Sequence, residues 1–464
     1  MRILQVNHLY PPHSLQGSEL HCLQLARSLA ATDEVAVLHA SEVSRPYPPR
    51  LERSSPDGFP VFHCIDGGHY ARLADWPNPV LRRQFGEVLA DWRPEVVHFH
   101  NYLSLGDDLP SRARASGAAI VYTLHDFGLV CPNHLLLRPD LRPCEKGDAD
   151  FFGPCCPTPL RVSGGRIPAI RRRVPSLERW QAFASQQGSP VVRGMLEAAL
   201  AVPLLVSGDP SESEVARKRD FFFEHTRRIF ADVDLFLAPS EFLLRKFVAC
   251  GLPAERARHV GYGTRPSIPR PKAPSPDGRL RFGFLGAFHA HKGLELLVRA
   301  FEGLGDRARL DVHGSAFGSP VGGSLLRRVQ REAPAGVVFH GAYRNEDLER
   351  ILSAIDVVVV PSLWFENSPF TIHEALACGV PVVSGDDGGM AELVRDGVEG
   401  LRFRIGDAAD LRRKLESLVE RPERVEELRR NLAVRPASPT PEAQAAVVRA
   451  EYRRLLDARA YRAV

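Results

Sequence analysis

The sequence predicts an α/β protein made of two doubly wound domains that face each other across a cleft. Three observations carry this. Short apolar, β-branched runs alternate with stretches of helical periodicity, the pattern of βαβ units and parallel sheets. The alternation stops at five prolines within residues 266–276 and then starts afresh. At 464 residues the chain has length for more than one core.

The first half opens on RILQVN, a short buried strand. SELHCLQLARSLAA then carries apolar residues at helical spacing, and EVAVLHA reads as the next strand. PEVVHFHN, AAIVYTLHD and VDLFLAPS follow, each bounded by polar or turn residues. From about 127 to 230 the pattern breaks, which predicts a partly helical insertion. It holds a cysteine cluster, an arginine-rich segment, apolar AALAVPLLV and the helix SESEVARKRDFFFEHTRRIF. The N-terminal domain is thus expected over 1–265. A stiff proline-rich linker spans 266–278. The C-terminal domain, 279–440, repeats the alternation with RLRFGFLG, a helix from Gly293, ARLDVHGS, GVVFHGA, IDVVVVPS and GVPVVSG. A helical tail, 441–464, is expected to pack back toward the N-terminal domain.

The net charge of +4 does not call for a nucleic-acid partner. The N-terminus MRILQVNHLYPP has one basic residue and an apolar run too short for a secretory leader. No run approaches a membrane span. These features predict a cytoplasmic protein with reduced thiols. Seven arginines lie between 161 and 193, three of them consecutive (171–173). They read as a solvated face, with peripheral contact to an anionic membrane surface as the functional alternative. Cys131, Cys144, Cys155 and Cys156 could hold a structural zinc ion. Their spacing lacks a C-x-x-C, so buried reduced thiols are the preferred reading.

Ligands of such sheets bind at the carboxyl ends of the strands. Glu366 follows the strand IDVVVVPS, and Glu374 lies eight residues later, beyond Asn367, Ser368, Pro369 and Phe370. Thr371-x-x-Glu374 fits a capping box, which would account for the second carboxylate alone. The alternative is a ligand site. A helix N-terminus holds phosphate, and the flanking carboxylates hold the hydroxyls of a sugar and a ribose. Lys292 precedes a helix and could neutralise a diphosphate, or it is an ordinary surface lysine. Gly17 lets backbone approach a phosphate or merely relieves a turn. His98, His100 and Asn101 end one strand, and His125 and Asp126 end the next, as a polar pocket floor would require.

Taken in order, Gly17-Ser18-Glu19, PEVVHFHN, YTLHDF, VDLFLAPS with GYG after it, FLGAFHAHKG, GVVFHGAY and PSLWFENSPFTIHEALACGVPVVSGDDGGMAELVRDGVEGLRF resemble the retaining family 4 glycosyltransferases over most of the chain. That resemblance implies two facing Rossmann-like domains, the GT-B fold. It implies that Glu366 contacts the donor sugar, that Asn367 to Phe370 meet sugar and phosphate through backbone groups, and that Glu374 binds the nucleotide ribose. Lys292 would neutralise the leaving diphosphate, Gly17 would let the first loop close over it, and His125 would lie near sugar and acceptor. His100, Asn101 and Asp126 would line the acceptor side. The donor would be a UDP- or GDP-linked sugar and the acceptor a hydroxyl, lipid-linked or on an oligosaccharide. No cofactor and no catalytic metal would be required. Where the family often has an arginine, this chain has Ala287, with His289 and His291 as candidate substitutes. The rival readings are a nucleotide-sugar epimerase of the same layout and an inactive sugar-nucleotide-binding partner protein.

Overall fold

The computed structural model describes residues 1–12, 17–40, 48–65, 78–101, 108–138, 140–144, 212–265, 275, 277–315 and 322–463. The arginine-rich segment, AALAVPLLV, Cys155, Cys156 and most of the proline-rich stretch lie outside these residues.

Two sheets form the frame. The first contains β1 (Arg2–Asn7), β2 (Glu34–Ala40), β3 (Arg50–Ser54), β4 (Val61–Ile65), β5 (Val96–Asn101), β6 (Ala119–Thr123), β7 (Leu235–Ala238) and β8 (Ala257–His259), in the order β3-β4-β2-β1-β5-β6-β7-β8. Every pairing is parallel except β3 with β4. The second sheet contains β9 (Leu280–Leu285), β10 (Ala308–His313), β11 (Val337–Gly341), β12 (Val357–Val360), β13 (Val382–Gly385) and β14 (Gly400–Phe403), in the order β11-β10-β9-β12-β13-β14, all parallel. The chain is therefore α/β with two parallel-sheet domains.

Helices cover both faces of each sheet, so the central strands are buried on both sides and read as continuous apolar runs rather than alternating ones. VVVV of β12 and LFLA of β7 are the clearest cases. On one face of the first sheet, Ile3, Val37, Val96 and Val121 pack with Leu25 and Leu29 of the first helix (Gly17–Ala30). Ala445, Val448 and Tyr452 of the C-terminal helix (Pro441–Ala463) join the same cluster, so that helix packs on the N-terminal domain. The opposite core takes in Leu363, Trp364 and Phe365 from the loop after β12, so apolar contact joins the two domains. Phe365 lies 5.1 Å from Phe242 and Trp364 stands edge-on to Phe127 at 6.3 Å.

Polar groups also cross this boundary. Glu392 of the C-terminal domain accepts hydrogen bonds from the Glu241 and Phe242 N–H groups at 2.9 and 2.5 Å. Both donors open the helix Glu241–Ala249 of the other domain. A carboxylate there satisfies orphan donors and complements the helix dipole.

Candidate active site

The loop from Pro361 to Pro369 joins β12 to the helix Phe370–Ala377 at the carboxyl edge of the second sheet. Glu366, 5% exposed, accepts from Lys292 Nζ at 2.7 Å and from Ser362 Oγ at 2.6 Å. Burial alone would push its carboxyl up. The Lys292 charge, with hydrogen bonds from Lys292 and Ser362, holds it below the ordinary carboxylate range. Lys292 comes from the post-β9 loop, and its ammonium also sits 5.6 Å from the Trp364 ring centre. Gly293, next in sequence, has φ 72°, and a Cβ there would lie 1.9 Å from the Pro361 carbonyl oxygen. Only glycine lets the two loops approach this closely. Gly389 does the same on the other side. Its N–H donates to the Glu366 carbonyl at 2.7 Å, and a Cβ would stand 1.4 Å from the Asn367 oxygen.

The capping box read from the sequence does not form. The residue that caps the helix is Pro369, with no side-chain cap bond, and Thr371 already lies within the first turn. Proline fixes φ near the value seen here, −67°, and starts the helix two residues early. Glu374 is thereby moved into the helix body. Among the described residues its carboxyl has no hydrogen bond or ion pair, and burial pushes it up to about 7. Tyr343 is close enough to feel its charge.

The side chains between the glutamates serve the frame. Asn367 Oδ1 accepts from Ser240 Oγ at 2.9 Å, and its amide donates to the Leu124 and His125 carbonyls at 3.2 and 3.3 Å. It therefore ties the loop to the N-terminal domain. The Ser368 hydroxyl is 2.8 Å from His373 Nε2. Phe370 stacks on Tyr262 of the N-terminal domain at 5.1 Å and 4°. A Cβ at Gly17 would lie 3.7 Å from the Phe370 ring, so the first helix of one domain starts beside the Phe370 loop of the other.

Facing that loop is a cluster of imidazoles from β5, β6 and the first helix. His125 Nδ1 is 2.6 Å from the Tyr262 hydroxyl, and its Nε2 is 3.1 Å from His100 Nδ1. His21 packs edge-on against both rings at 5.1 and 5.3 Å. Burial lowers His21 to about 4 and holds His98, His100 and His125 well below the usual imidazole range. The ligand atoms of His21, His100 and His125 lie within 4.8 Å of one another, a set that could converge on a cation. Their hydrogen bonds oppose this. Gln444 Oε1 already accepts from the Gly263 N–H, so its amide donates to His21 Nε2. His21 then carries its proton on Nδ1, which is buried without a partner among the described residues. Asn101 ends β5, and Asp126 accepts from the Gly128 N–H and faces His134 at 3.8 Å. Glu19, 1% exposed and 3.4 Å from His8, is pushed up by burial and leaves one buried carboxyl oxygen unpartnered.

Burial works against a cationic role for His289 and His291, the residues offered as substitutes for the arginine. Burial lowers both, His291 to about 4, and Lys292 nearby adds to it. Cys131 donates to Asn133 Oδ1 at 2.8 Å within the core, and Cys144 packs against the same core; both are free thiols. Tyr262, Ser362, His21 and Glu19 are site neighbours that sequence reasoning did not single out. GYG and Gly-Ser-Glu were visible as motifs, but nothing local said where they would meet.

Comparisons with known proteins agree with this architecture. Residues 268–434 match the domain described as "Glycosyl transferases group 1", and residues 15–152 match "Glycosyltransferase Family 4". A D-inositol 3-phosphate glycosyltransferase of Mycobacterium sp. (strain KMS) is 34% identical over 146 residues, 30% of this chain and 32% of the relative. A GDP-mannose-dependent alpha-mannosyltransferase of Mycobacterium tuberculosis is 27% identical over 53% of this chain and 57% of its own. The chain thus spans about a third to just over half of the length of these relatives. Anabaena HepE, solved with UDP and glucose, superposes with TM-score 0.61 at 16% identity, over 97% of this chain and 98% of its own. Sucrose-phosphate synthase from Thermosynechococcus elongatus gives 0.63 at 19% identity, over 98% and 99%.

Proposed function

We propose, from the GT-B fold and the matches of residues 15–152 and 268–434 to glycosyltransferase domain models, that the chain is a retaining, metal-independent glycosyltransferase that moves a hexose-type sugar from a nucleoside diphosphate to a hydroxyl. One observation carries the reading. Two carboxylates flank a helix start at the carboxyl edge of the second sheet, one paired with Lys292 and the other without a partner among the described residues. A half-buried carboxyl with no capping role, whose charged form is disfavoured by its surroundings, is costly to folding. It is accounted for by a ligand that brings its own hydroxyl donors.

In this reading Glu374 accepts from the ribose hydroxyls. Lys292 and the N–H groups of the Phe370 turn take the diphosphate, and Glu366 meets the sugar. As the glycosidic C–O bond lengthens, negative charge grows on the diphosphate and positive charge on the sugar ring. A fixed ammonium and helix dipole stabilise the first, and the Glu366 carboxylate lies near the second. Glu366 is already held by Lys292 and Ser362. That suits an electrostatic and hydrogen-bonding role better than covalent attack, and the acceptor would approach from the leaving-group face. His125 has both ring nitrogens occupied, so it reaches a sugar hydroxyl only by exchanging the Tyr262 bond. The acceptor side is His100, Asn101 and Asp126, with Glu19 added.

The deciding experiment titrates UDP, GDP, ADP and their sugar conjugates in EDTA, followed by turnover with and without hydroxyl acceptors. Tight binding of one nucleotide and acceptor-dependent release of it support transfer. Sugar isomerisation without acceptor would favour an epimerase. Binding without release would favour an inactive binder.

A further inference from the structure

Six hydrogen bonds run in series through the N-terminal domain. Tyr262 Oη meets His125 Nδ1 at 2.6 Å, and His125 Nε2 meets His100 Nδ1 at 3.1 Å. His100 Nε2 meets Gln5 Oε1 at 2.6 Å, and Gln5 Nε2 meets Tyr452 Oη at 3.3 Å. Tyr452 Oη meets His98 Nδ1 at 2.5 Å, and His98 Nε2 meets Thr123 Oγ1 at 2.7 Å. Burial keeps the three imidazoles neutral, so each has one N–H and one lone pair. The series therefore has a single direction at any moment. Gln5, fully buried, sets it. Its oxygen toward His100 requires an N–H on His100 Nε2. His100 Nδ1 then accepts, His125 Nε2 donates, and His125 Nδ1 accepts from the Tyr262 hydroxyl. On the other side the Gln5 amide donates to Tyr452, which donates to His98 Nδ1. Turning the amide over reverses every donor.

We propose that Gln5 is a positioning residue for the cleft: through His100 it places the proton of His125 on Nε2, so that Nδ1 stands ready to accept from a sugar hydroxyl in place of Tyr262. The chain also runs into the C-terminal helix at Tyr452, so the docking of that helix and the proton position on His125 are one arrangement. In its use of His125 the inference rests on the glycosyl-transfer reading. Its proton assignments do not.

The test uses the full chain with ¹⁵N-labelled histidine, assigned by single His→Gln variants, and reads the protonated nitrogen of each ring. Nε2–H on His98, His100 and His125 is the expected pattern. In Gln5→Glu a carboxylate accepts from both His100 and Tyr452. His98 then loses its donor and moves its proton to Nδ1, while His100 and His125 keep theirs. In Gln5→Leu the direction is released and His125 populates both forms. Nδ1–H on wild-type His125, or unchanged rings in both variants, overturns the proposal. So does uptake of one equivalent of Co²⁺ that His21→Ala abolishes, because a cation would then replace the proton between His100 and His125.

In turnover, Gln5→Leu is expected to lower kcat about tenfold or more while nucleotide binding changes less than about threefold. Gln5→Glu moves the acid limb of the kcat profile to higher pH, since a buried carboxylate favours a protonated His100. The groups around His125 are His8 just after β1, His21 from the first helix, His98 and His100 from β5, Tyr262 after β8, and the neighbouring Asp126. None of these is changed by the substitution. A lower melting temperature with kcat and its pH profile intact would make Gln5 structural only. Absence of transfer by the wild type would refute the proposed reaction and leave the ring assignments to decide the chain.

Discussion

Replacing Glu374 by glutamine separates a binding carboxylate from a structural one. Burial, with no partner to offset it, raises the Glu374 carboxyl from the usual 4.5 to about 7. A group raised in the folded state binds a proton more tightly there than in the unfolded chain. Stability therefore falls as pH rises through the window between these two values, and the loss is complete above pH 7. At about 1.36 kcal/mol per pH unit, the ionised carboxylate costs the ligand-free protein at most about 3 kcal/mol at pH 8 and nothing near pH 4. Glu374→Gln should thus stabilise the ligand-free C-terminal domain at pH 8 and leave it unchanged at pH 4. For a domain of this size, about 3 kcal/mol corresponds to a melting shift of about 6–12 °C. The same change should weaken nucleotide binding at pH 8 by at least about tenfold, the worth of a charged hydrogen bond of about 1.5 kcal/mol. Wild-type affinity should rise with pH toward 7, whereas that of the variant should be flat. Thermal melts of both proteins at pH 4, 6 and 8, with and without UDP and GDP, give all four quantities. Lower stability at every pH with unchanged affinity would refute the reasoning and restore a structural role.

Lys292→Met leaves Glu366 buried without its cation. The Glu366 carboxyl should rise above its ordinary value, and turnover should fall by about two to three orders of magnitude, measured as nucleotide release. Asn367→Ala removes three hydrogen bonds across the domain boundary. At about 1 kcal/mol each, closure should weaken, seen as a larger radius of gyration in nucleotide-bound scattering and a raised KM. Ala287→Arg should bring a second cation to the diphosphate and tighten UDP or GDP binding by about tenfold or more, checked by calorimetry in low and high salt. Gly389→Ala should unfold the loop or abolish nucleotide binding, since the added carbon has no room beside Asn367.

What the sequence made legible follows from how local each signal is. Central parallel strands announce themselves because burial on both faces demands unbroken apolar runs, and ten were expected as such. β3, β4, β8 and β14 were not expected as strands, and for β3 and β8 the physical reason is plain. RLERS is a polar edge strand whose register comes from β4, and ARH is three residues held by β7. The two glutamates and Lys292 were visible because strand ends fix where a loop must sit. The failed capping box shows the limit of spacing as evidence. Thr371-x-x-Glu374 has the right interval, but Pro369 starts the helix earlier and removes the geometry on which the interval depends. Tyr262 and Gln5 were illegible because their roles rest on partners far away along the chain: Phe370 for the first, His100 and Tyr452 for the second.

Those long-range partners bear on why the residue after Glu366 is an asparagine. Asn367 offers an acceptor to Ser240 and donors to two carbonyls, one of them that of His125. An aspartate of the same shape would place a charge against two carbonyl oxygens, and a leucine would leave all three groups unpaired in a buried site. The amide thus joins the backbone of His125 to the loop that carries Glu366. Phe370, three residues on, meets the Tyr262 ring whose hydroxyl holds the His125 side chain. The His125 backbone is therefore held directly across the boundary, whereas its side chain is held within the N-terminal domain by Tyr262 and His100, and only the stacking of Phe370 on Tyr262 reaches it from the other domain. Opening the cleft would free the backbone carbonyl and unstack Tyr262 while leaving the ring hydrogen bonds in place. A donor that draws the Phe370 loop inward would then tighten the backbone of His125 and the ring that holds its side chain in the same step. Asn367→Asp tests this directly. It keeps volume and adds one charge, and it should slow transfer more than it weakens nucleotide binding, because the proposed nucleotide contacts are those of Glu374 and Lys292 while the broken contact lies on His125.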